Sequence, residues 1–471
     1  MNMNEERSCD LLIRNAFVIS VDAERRVFSP GAVAVRGHTL AAVGPERDVV
    51  QRVRPTRTID AGGAVVHPGF IDAHNHVVGA GCRGVFANDS DDPASGVNYA
   101  AWKADVTGED EAAATTLTAL QLLHAGYTGV VEAGTVFDTS AAAAAAEAAG
   151  IRISLAAPYL WDDVAVMRHL GSLESRALFA RSPADFERCI AELGSELHRN
   201  EDCNGRQHGF VCLYGLGTAS DELERRADAL AREHRVVLHQ HEAYEPASTR
   251  AETERLGHSR IVHLDSLGVL HAGSTLVHMN TLTDEDADIV AERGCSVVWC
   301  PIPHLAMGLA GRVECRMPEL LRRGVNVTLG SDSARGSAFG DDALAAQLLA
   351  ANAGEPLSPE AILEMLTINA ARSAGLGAIT GSLEAGKRAD LVVTDPDAAE
   401  AYPGANPLHQ AVLTCRGRAR TVVVNGEVVI EDGRSTRIDE RDAFGRAHRS
   451  IRERIRRLRI GEGMRWPVIG G

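Results

Sequence analysis

The stretch Val65–Gly79 reads "VVHPGFIDAHNHVVG". An apolar run breaks at Pro68-Gly69, resumes, and ends on His74 and His76, with one residue between them. Side chains alternate faces along a strand, so Asp72, His74 and His76 are expected on one face. Two imidazoles aimed from one strand end can hold a single metal ion. One such pair is weak evidence, because a buried histidine often has only a packing role. Its meaning depends on what the other strand ends offer.

Seven more β-like runs follow: "GVVEAGT", "IRISLAAPY", "FVCLYGLG", "RVVLHQH", "STLVHMN", "CSVVWCP" and "VNVTLGSD". Between most of them lie helix-like stretches such as "DELERRADALAREH" and "TDEDADIVAERG", which end in Gly or a basic residue as helices tend to. The Ala-rich "TSAAAAAAEAAG" is expected to be a helix with Ser140 near its N-cap. Eight strand–helix alternations predict an α/β fold, a (β/α)8 TIM-like barrel over residues 67–380. A doubly wound open sheet is the alternative, but neither GxGxxG nor a P-loop is present.

Both ends of the chain are rich in short strands. Residues 1–66 and 381–436 are predicted to form one smaller β-sandwich domain, with a hairpin turn at Asn425-Gly426. Residues 437–471 form a C-terminal tail. Its "RAHRSIRERIRRLRIGEGMRW" reads as a basic amphipathic helix. Packing on its own chain or on a partner subunit is favoured over a membrane or calmodulin.

Composition narrows the function. The net charge of -16 repels phosphate backbones, which argues against a nucleic-acid partner. Nine cysteines without a CxxC pair fit reduced thiols, hence a cytoplasmic protein. The N-terminus lacks a signal-peptide core, and no uncharged run is long enough to span a membrane. The expected partners are a small-molecule substrate and a second copy of the chain, as a homodimer.

In a barrel of this type catalytic groups gather at the C-terminal ends of the strands. The fifth run ends in His239, His241 and Glu242, and the sixth in His278. In the eighth, Val325, Val327 and Leu329 face one way, while Asn326, Thr328, Gly330 and Asp332 face the other. His residues from three strand ends and an Asp from a fourth, all in one structural position, point to a metal site.

This set resembles the amidohydrolase superfamily, in its branch of triazine chlorohydrolases and heteroaromatic deaminases. "PGFIDAHNH" is similar to that branch's first-strand motif, "HQHE" to its His-x-x-Glu, "LVHMNTLTDEDADIVAERGCSVVWCP" to its sixth-strand region, and "GVNVTLGSDS" to its eighth-strand Asp. The resemblance implies one divalent metal held by His74, His76, His239, His278 and Asp332. Zinc is the default for such ligands, with iron or manganese as alternatives. Binuclear relatives use a carbamylated Lys on the fourth strand. Here the only lysines are Lys103 and Lys387, neither on a barrel strand, which favours one metal.

The roles follow from the resemblance. Asp332 ligates and takes the proton of a metal-activated water. Glu242 shuttles the proton to the ring or the leaving group. His278 either ligates or orients the water. His241 competes with His239 by strand parity, but the Glu three residues on favours His239. Two departures concern substrate. "LYGLGTAS" stands where relatives carry a "PHAP"-like His, leaving Tyr214 there, and "CPIPHLAMG" replaces "CPxSN", bringing in His304. Both weigh against a guanine- or adenosine-like substrate; His304, His241 and Tyr214 are the substrate-contact candidates. His67, His263 and His271 are expected to be structural.

The expected reaction is hydrolytic deamination of a small heteroaromatic or amidine-type substrate. Hydrolytic dechlorination or ring C–N opening at the same site is the nearest alternative. A non-catalytic barrel used for binding or assembly is the alternative of another class.

Overall fold

The run that reads as one strand across Pro68-Gly69 is two strands in two different sheets. Val65–Pro68 lies in a nine-stranded sheet, and Phe70–Asn75 begins a parallel sheet of four. Pro68 has no N–H with which to continue a ladder. Gly69 turns the chain, its N–H donating to Asp390 O at 3.0 Å. A Cβ on Gly69 would lie 2.0 Å from Thr128 Oγ1, so the corner admits only glycine. The computed structural model describes residues 7–85, 99–163, 176–333, 337–414 and 418–460.

The nine-stranded sheet draws on both ends of the chain. Ser8–Ile19, Val27–Arg36, Thr39–Pro45, Arg54–Asp60 and Val65–Pro68 come from one end; Leu391–Thr394, Ala419–Val424, Glu427–Glu431 and Arg434–Ser435 come from the other. The ends meet at Val65–Pro68, which pairs parallel with Ser8–Ile19 and antiparallel with Leu391–Thr394. Alternate residues Leu11, Ile13, Val33, Val35, Leu391, Val393 and Val423 pack into one apolar cluster.

All eight apolar runs read from the sequence form parallel strands. Phe70–Asn75, Tyr127–Glu132, Arg152–Leu155 and Gln207–Gly209 pair in that order. Val211–Gly215, Leu238–Glu242, Ser274–His278, Ser296–Trp299 and Asn326–Leu329 make the second set. Phe210 alone separates Gln207–Gly209 from Val211–Gly215, and a parallel bridge joins Asn75 to Asp332. Every strand C-terminus that carries a candidate ligand is therefore brought to the same end.

Two local expectations change. Ser140 is inside its helix, Thr139–Ala149, and the cap is Asp138, whose carboxylate accepts from Ala141 N at 2.9 Å. The pairing register shifts between Asp72 and Asn75, so strict alternation fails there. Asp72 consequently binds Asn75 Nδ2 at 3.0 Å and Ser331 N at 3.0 Å and does not share the face of His74 and His76. His67, His263 and His271 have structural partners: Pro68 O, Asp221 and Asp228.

The basic tail helix, Glu440–Arg457, packs on helix Gly108–His124 of its own chain. Arg454 is buried, with its guanidinium 3.8 Å from the centre of the Trp102 ring, and donates to Trp102 O and Asp105 O. Arg457 pairs with Asp105 at 2.9 Å. The end of the tail, 461–471, lies outside the described residues. Among the described residues no helix is long and apolar enough to cross a membrane.

Candidate metal centre

His74, His76 and His241 are buried, and one ring nitrogen from each falls within 4.8 Å of the others. Their outer hydrogen bonds identify which nitrogen faces inward. Thr135 Oγ1 donates its one hydrogen to Glu132 Oε1 at 2.6 Å, so it must accept from His76 Nδ1, 2.9 Å away. His241 Nδ1 donates to Tyr214 O at 2.7 Å. His74 Nδ1 lies 3.0 Å from His239 Nε2. Each ring is thereby left with Nε2 as its inward atom, and His74 Nε2 is buried without a hydrogen-bond partner.

Asp332, at the eighth strand end, lies against one member of the group. Its Oδ1 is 3.1 Å from His76 Nε2. With Nδ1–H of His76 given to Thr135, a neutral His76 would set its Nε2 lone pair against this carboxylate. A neutral His76 and an ionised Asp332 that close call for a positive charge between them, a metal ion or the proton of an imidazolium. The backbone makes the approach exact in position: Asp332 N donates to His74 O at 2.9 Å and His76 N to Asp332 O at 2.8 Å. Gly330 leaves room for His74, since a Cβ there would meet the His74 Cβ at 2.8 Å.

Electrostatics agree with a cation site. Burial lowers His74 and His241 well below the ordinary histidine range, His239 to about 3 and His278 to about 4. These rings are neutral near pH 7, as metal ligands must be. Burial pushes Asp332 up, but the hydrogen bond and charge of His76, with His278 and His241, hold it below the usual carboxylate range. A divalent cation held among these rings would supply the same positive field to Asp332.

The three-histidine group includes His241 from the fifth run, and not His239, the residue expected there as a ligand. His241 occupies the position expected of His239. His239 sits behind His74, its ring stacked 5.3 Å from that of His74 and edge-on to Phe210. The cause is position along the strand: His241 pairs with Gly215 near the strand end, whereas His239 pairs with Cys212 one step below. His278 closes the other side, its ring 5.4 Å from that of His241 and 5.8 Å from that of His74. Its Nδ1 is buried without a hydrogen-bond partner, and its backbone is left-handed at φ 74°.

Glu242 is not brought to this group. It leaves the opposite face of the strand from His241 and lies 3.6 Å from Arg260 Nε, in a buried cluster with Glu224. Burial raises its carboxyl well above the ordinary range, with Arg260 opposing. Counted three residues from His241, the family position falls on Tyr244, whose ring is 4.3 Å from that of His278. Tyr214 packs its ring 5.1 Å from His241, backed by Trp161 at 5.2 Å and Tyr159 at 6.2 Å. His304 donates from Nδ1 to Asn280 Oδ1 at 3.1 Å, because the Asn280 amide is fixed by Tyr244 O. It also borders a cavity of about 390 Å³ beside Cys315 and Arg316.

Glu132, Thr135 and Tyr244 were not singled out from the sequence. The available signal was the polar "EAGT" that follows the second strand directly, beside the strand carrying His74 and His76.

The model of the amidohydrolase family matches residues 65–429. The 5-methylthioadenosine/S-adenosylhomocysteine deaminase of Syntrophobacter fumaroxidans is 31% identical over 444 residues, covering 90% of this chain and 94% of that protein. The chain belongs to the amidohydrolase family. A 5'-deoxyadenosine deaminase of Methanosarcina mazei is 27% identical, over 95% of this chain and 99% of its own. Among solved amidohydrolase-like structures, an adenosine deaminase from Xanthomonas campestris with bound zinc superposes with a TM-score of 0.80 at 27% identity, covering 96% and 99%. The atrazine chlorohydrolase of Arthrobacter aurescens, complexed with zinc, gives 0.77 at 22% identity, covering 94% and 100%, which bears on the fold alone. The fold of this amidohydrolase is α/β of the TIM-barrel type, and the chain is a hydrolase of C–N bonds.

Proposed function

We propose that this amidohydrolase releases ammonia from the purine of an adenine nucleoside by hydrolysis at a single zinc ion. One observation carries the metal reading: His74, His76 and His241 bring one ring nitrogen each within 4.8 Å of the others, and His76 Nε2 faces Asp332 Oδ1 at 3.1 Å. The names of the relatives weigh towards adenine nucleosides, against the two sequence departures at Tyr214 and His304.

A divalent ion held here supplies Lewis acidity and lowers the pKa of a water. Asp332 is placed to accept that water's proton. His278, with Nδ1 unengaged, is placed to hydrogen-bond the reacting oxygen or the ring. Tyr214 and Tyr244 flank the histidines with aromatic faces suited to a flat heterocycle. The amine must leave protonated, and Asp332, having taken the water's proton, would deliver it.

Hydrolytic dechlorination is a second reading, favoured by the position of Glu242. Chloride leaves without a proton, so it needs no carboxylic acid beyond Asp332. Zinc-loaded protein assayed with adenine nucleosides and chlorotriazines, scored for ammonia and chloride, separates the two. Ammonia from the nucleosides supports the first; chloride alone supports the second.

We read residues 1–66 with 381–436 as a β-sandwich domain, 67–380 as a closed barrel, and 437–471 as a tail. The two-ended sheet and the Asn75–Asp332 bridge support this division. We also read the protein as a cytoplasmic homodimer without nucleic-acid or membrane partners, in keeping with its charge of -16.

A further inference from the structure

The three histidines differ in what holds their outer nitrogens. His241 leans on a backbone carbonyl, which no substitution removes. His74 leans on another ring. His76 alone leans on a side-chain relay, His76 Nδ1 to Thr135 Oγ1 to Glu132 Oε1, at 2.9 and 2.6 Å. All three members are buried: His76 is 5% exposed, Thr135 2% and Glu132 0%.

The turn that builds the relay is specific. Glu132 ends the second parallel strand, and the chain folds back at Gly134 with φ 67°. Gly134 N then donates to Glu132 Oε2 at 2.8 Å, and Thr135 N reaches the same carboxylate at 3.1 Å. A Cβ on Gly134 would stand 3.1 Å from Ala157 O and 3.2 Å from Cys212 Sγ. The carboxylate is thus held by its own turn, with its remaining capacity turned to the Thr135 hydroxyl. That hydroxyl has one hydrogen to give and gives it to Glu132. Its oxygen can only accept from His76, which makes Nδ1 the protonated nitrogen and Nε2 the ligand.

We propose that Glu132 and Thr135 are positioning residues that set the affinity of the centre for its metal, by fixing the tautomer and ring plane of His76. The proposal rests on the metal-site reading above. The relay makes the imidazole a better donor, because proton density at Nδ1 is drawn towards a carboxylate. A cation on the far side of the ring in turn favours the ionised form of Glu132. Both residues are buried behind His76, so their effect is assigned to the metal and not to recognition.

Zinc affinity of the full-length protein, measured by competition with a chromophoric chelator, tests this. Thr135→Val keeps the shape and removes the hydroxyl. Its zinc Kd is expected to rise roughly 10–100-fold. Thr135→Ser restores the hydroxyl and is expected within a few-fold of wild type. The visible spectrum of the cobalt-substituted protein should shift in Thr135→Val and not in Thr135→Ser. If Thr135→Val does not fold, Glu132→Gln, which keeps an acceptor but loses the charge, carries the same expectation of weaker zinc binding. Wild-type zinc affinity in a folded Thr135→Val or Glu132→Gln protein overturns the relay. Absence of zinc binding by the wild type overturns the metal centre itself, which is a different failure.

Discussion

His241 and Glu242 are adjacent residues whose side chains leave opposite faces of one strand. His241 turns to His74 and His76, while Glu242 turns to Arg260. A strand alternates by one residue, so a ligand and its neighbour cannot both reach the same metal. Motif spacing counted from His239 selects Glu242; counted from His241 it selects Tyr244.

Glu242→Gln is therefore expected to keep its metal and to stay within a few-fold of wild-type kcat. A loss of roughly 10²–10⁴-fold, the usual cost of removing a general acid or base, would return Glu242 to the reaction. Arg260→Ala is expected to be the damaging change in this cluster. It leaves the buried Glu224 and Glu242 without their cation and should cost about 3–5 kcal/mol in chemical denaturation. Glu242→Gln should cost much less, because Arg260 keeps Glu224.

The two histidines of the fifth run should separate in metal binding. His241→Ala removes a ligand and is expected to abolish stoichiometric zinc in the purified protein. His239→Ala removes only the support of His74 and should weaken binding by roughly 10–100-fold while leaving saturation reachable. Equal loss in both variants, or loss in His239→Ala alone, would restore His239 as the ligand.

Much of this architecture was legible because burial on both faces makes a strand a continuous apolar run, and each of the eight runs contributes a parallel strand. His74 and His76 were legible as candidates because both stand at the end of one strand. The rest depended on departures from regular geometry. Periodicity carries no mark of the register shift after Asp72, nor of the sheet change at Pro68-Gly69. The choice between His239 and His241 turns on depth along a strand, which spacing alone does not encode. The Thr135–Glu132 relay depends on a turn closing through Gly134, a contact between near neighbours that resembles any polar loop when read as letters.

Acid should weaken the fold through buried histidines far from the metal. Burial lowers His67 and His208 from 6.5 to about 4. Below 6.5 the unfolded chain takes up protons that the folded chain refuses. The stability they permit is present above pH 6.5 and is lost as pH falls through about 4. Urea midpoints of the metal-free protein at pH 7 and pH 5 check this. His67→Phe, which keeps the stacking on Phe70, should show a smaller drop between the two; an unchanged drop removes His67 from the linkage.

The tail helix should depend on Arg454. Arg454→Ala removes the contact with Trp102 and the donors to Trp102 O and Asp105 O. Faster amide hydrogen exchange across residues 440–457 is the expected outcome, with the parallel strands unaffected. Wild-type protection in that helix would show that the other contacts, Arg457 with Asp105 and Ser450 with Asp110, suffice.

Reaction in oxygen-18-labelled water tests hydrolytic deamination at the Asp332 centre most directly. Zinc-loaded protein is incubated with an adenine nucleoside, ammonia is counted, and the product is weighed by mass spectrometry. The account expects one labelled oxygen on the ring for each ammonia released, and none of either from Asp332→Asn. No ammonia from the zinc-loaded protein, or the same yield from Asp332→Asn, would contradict it.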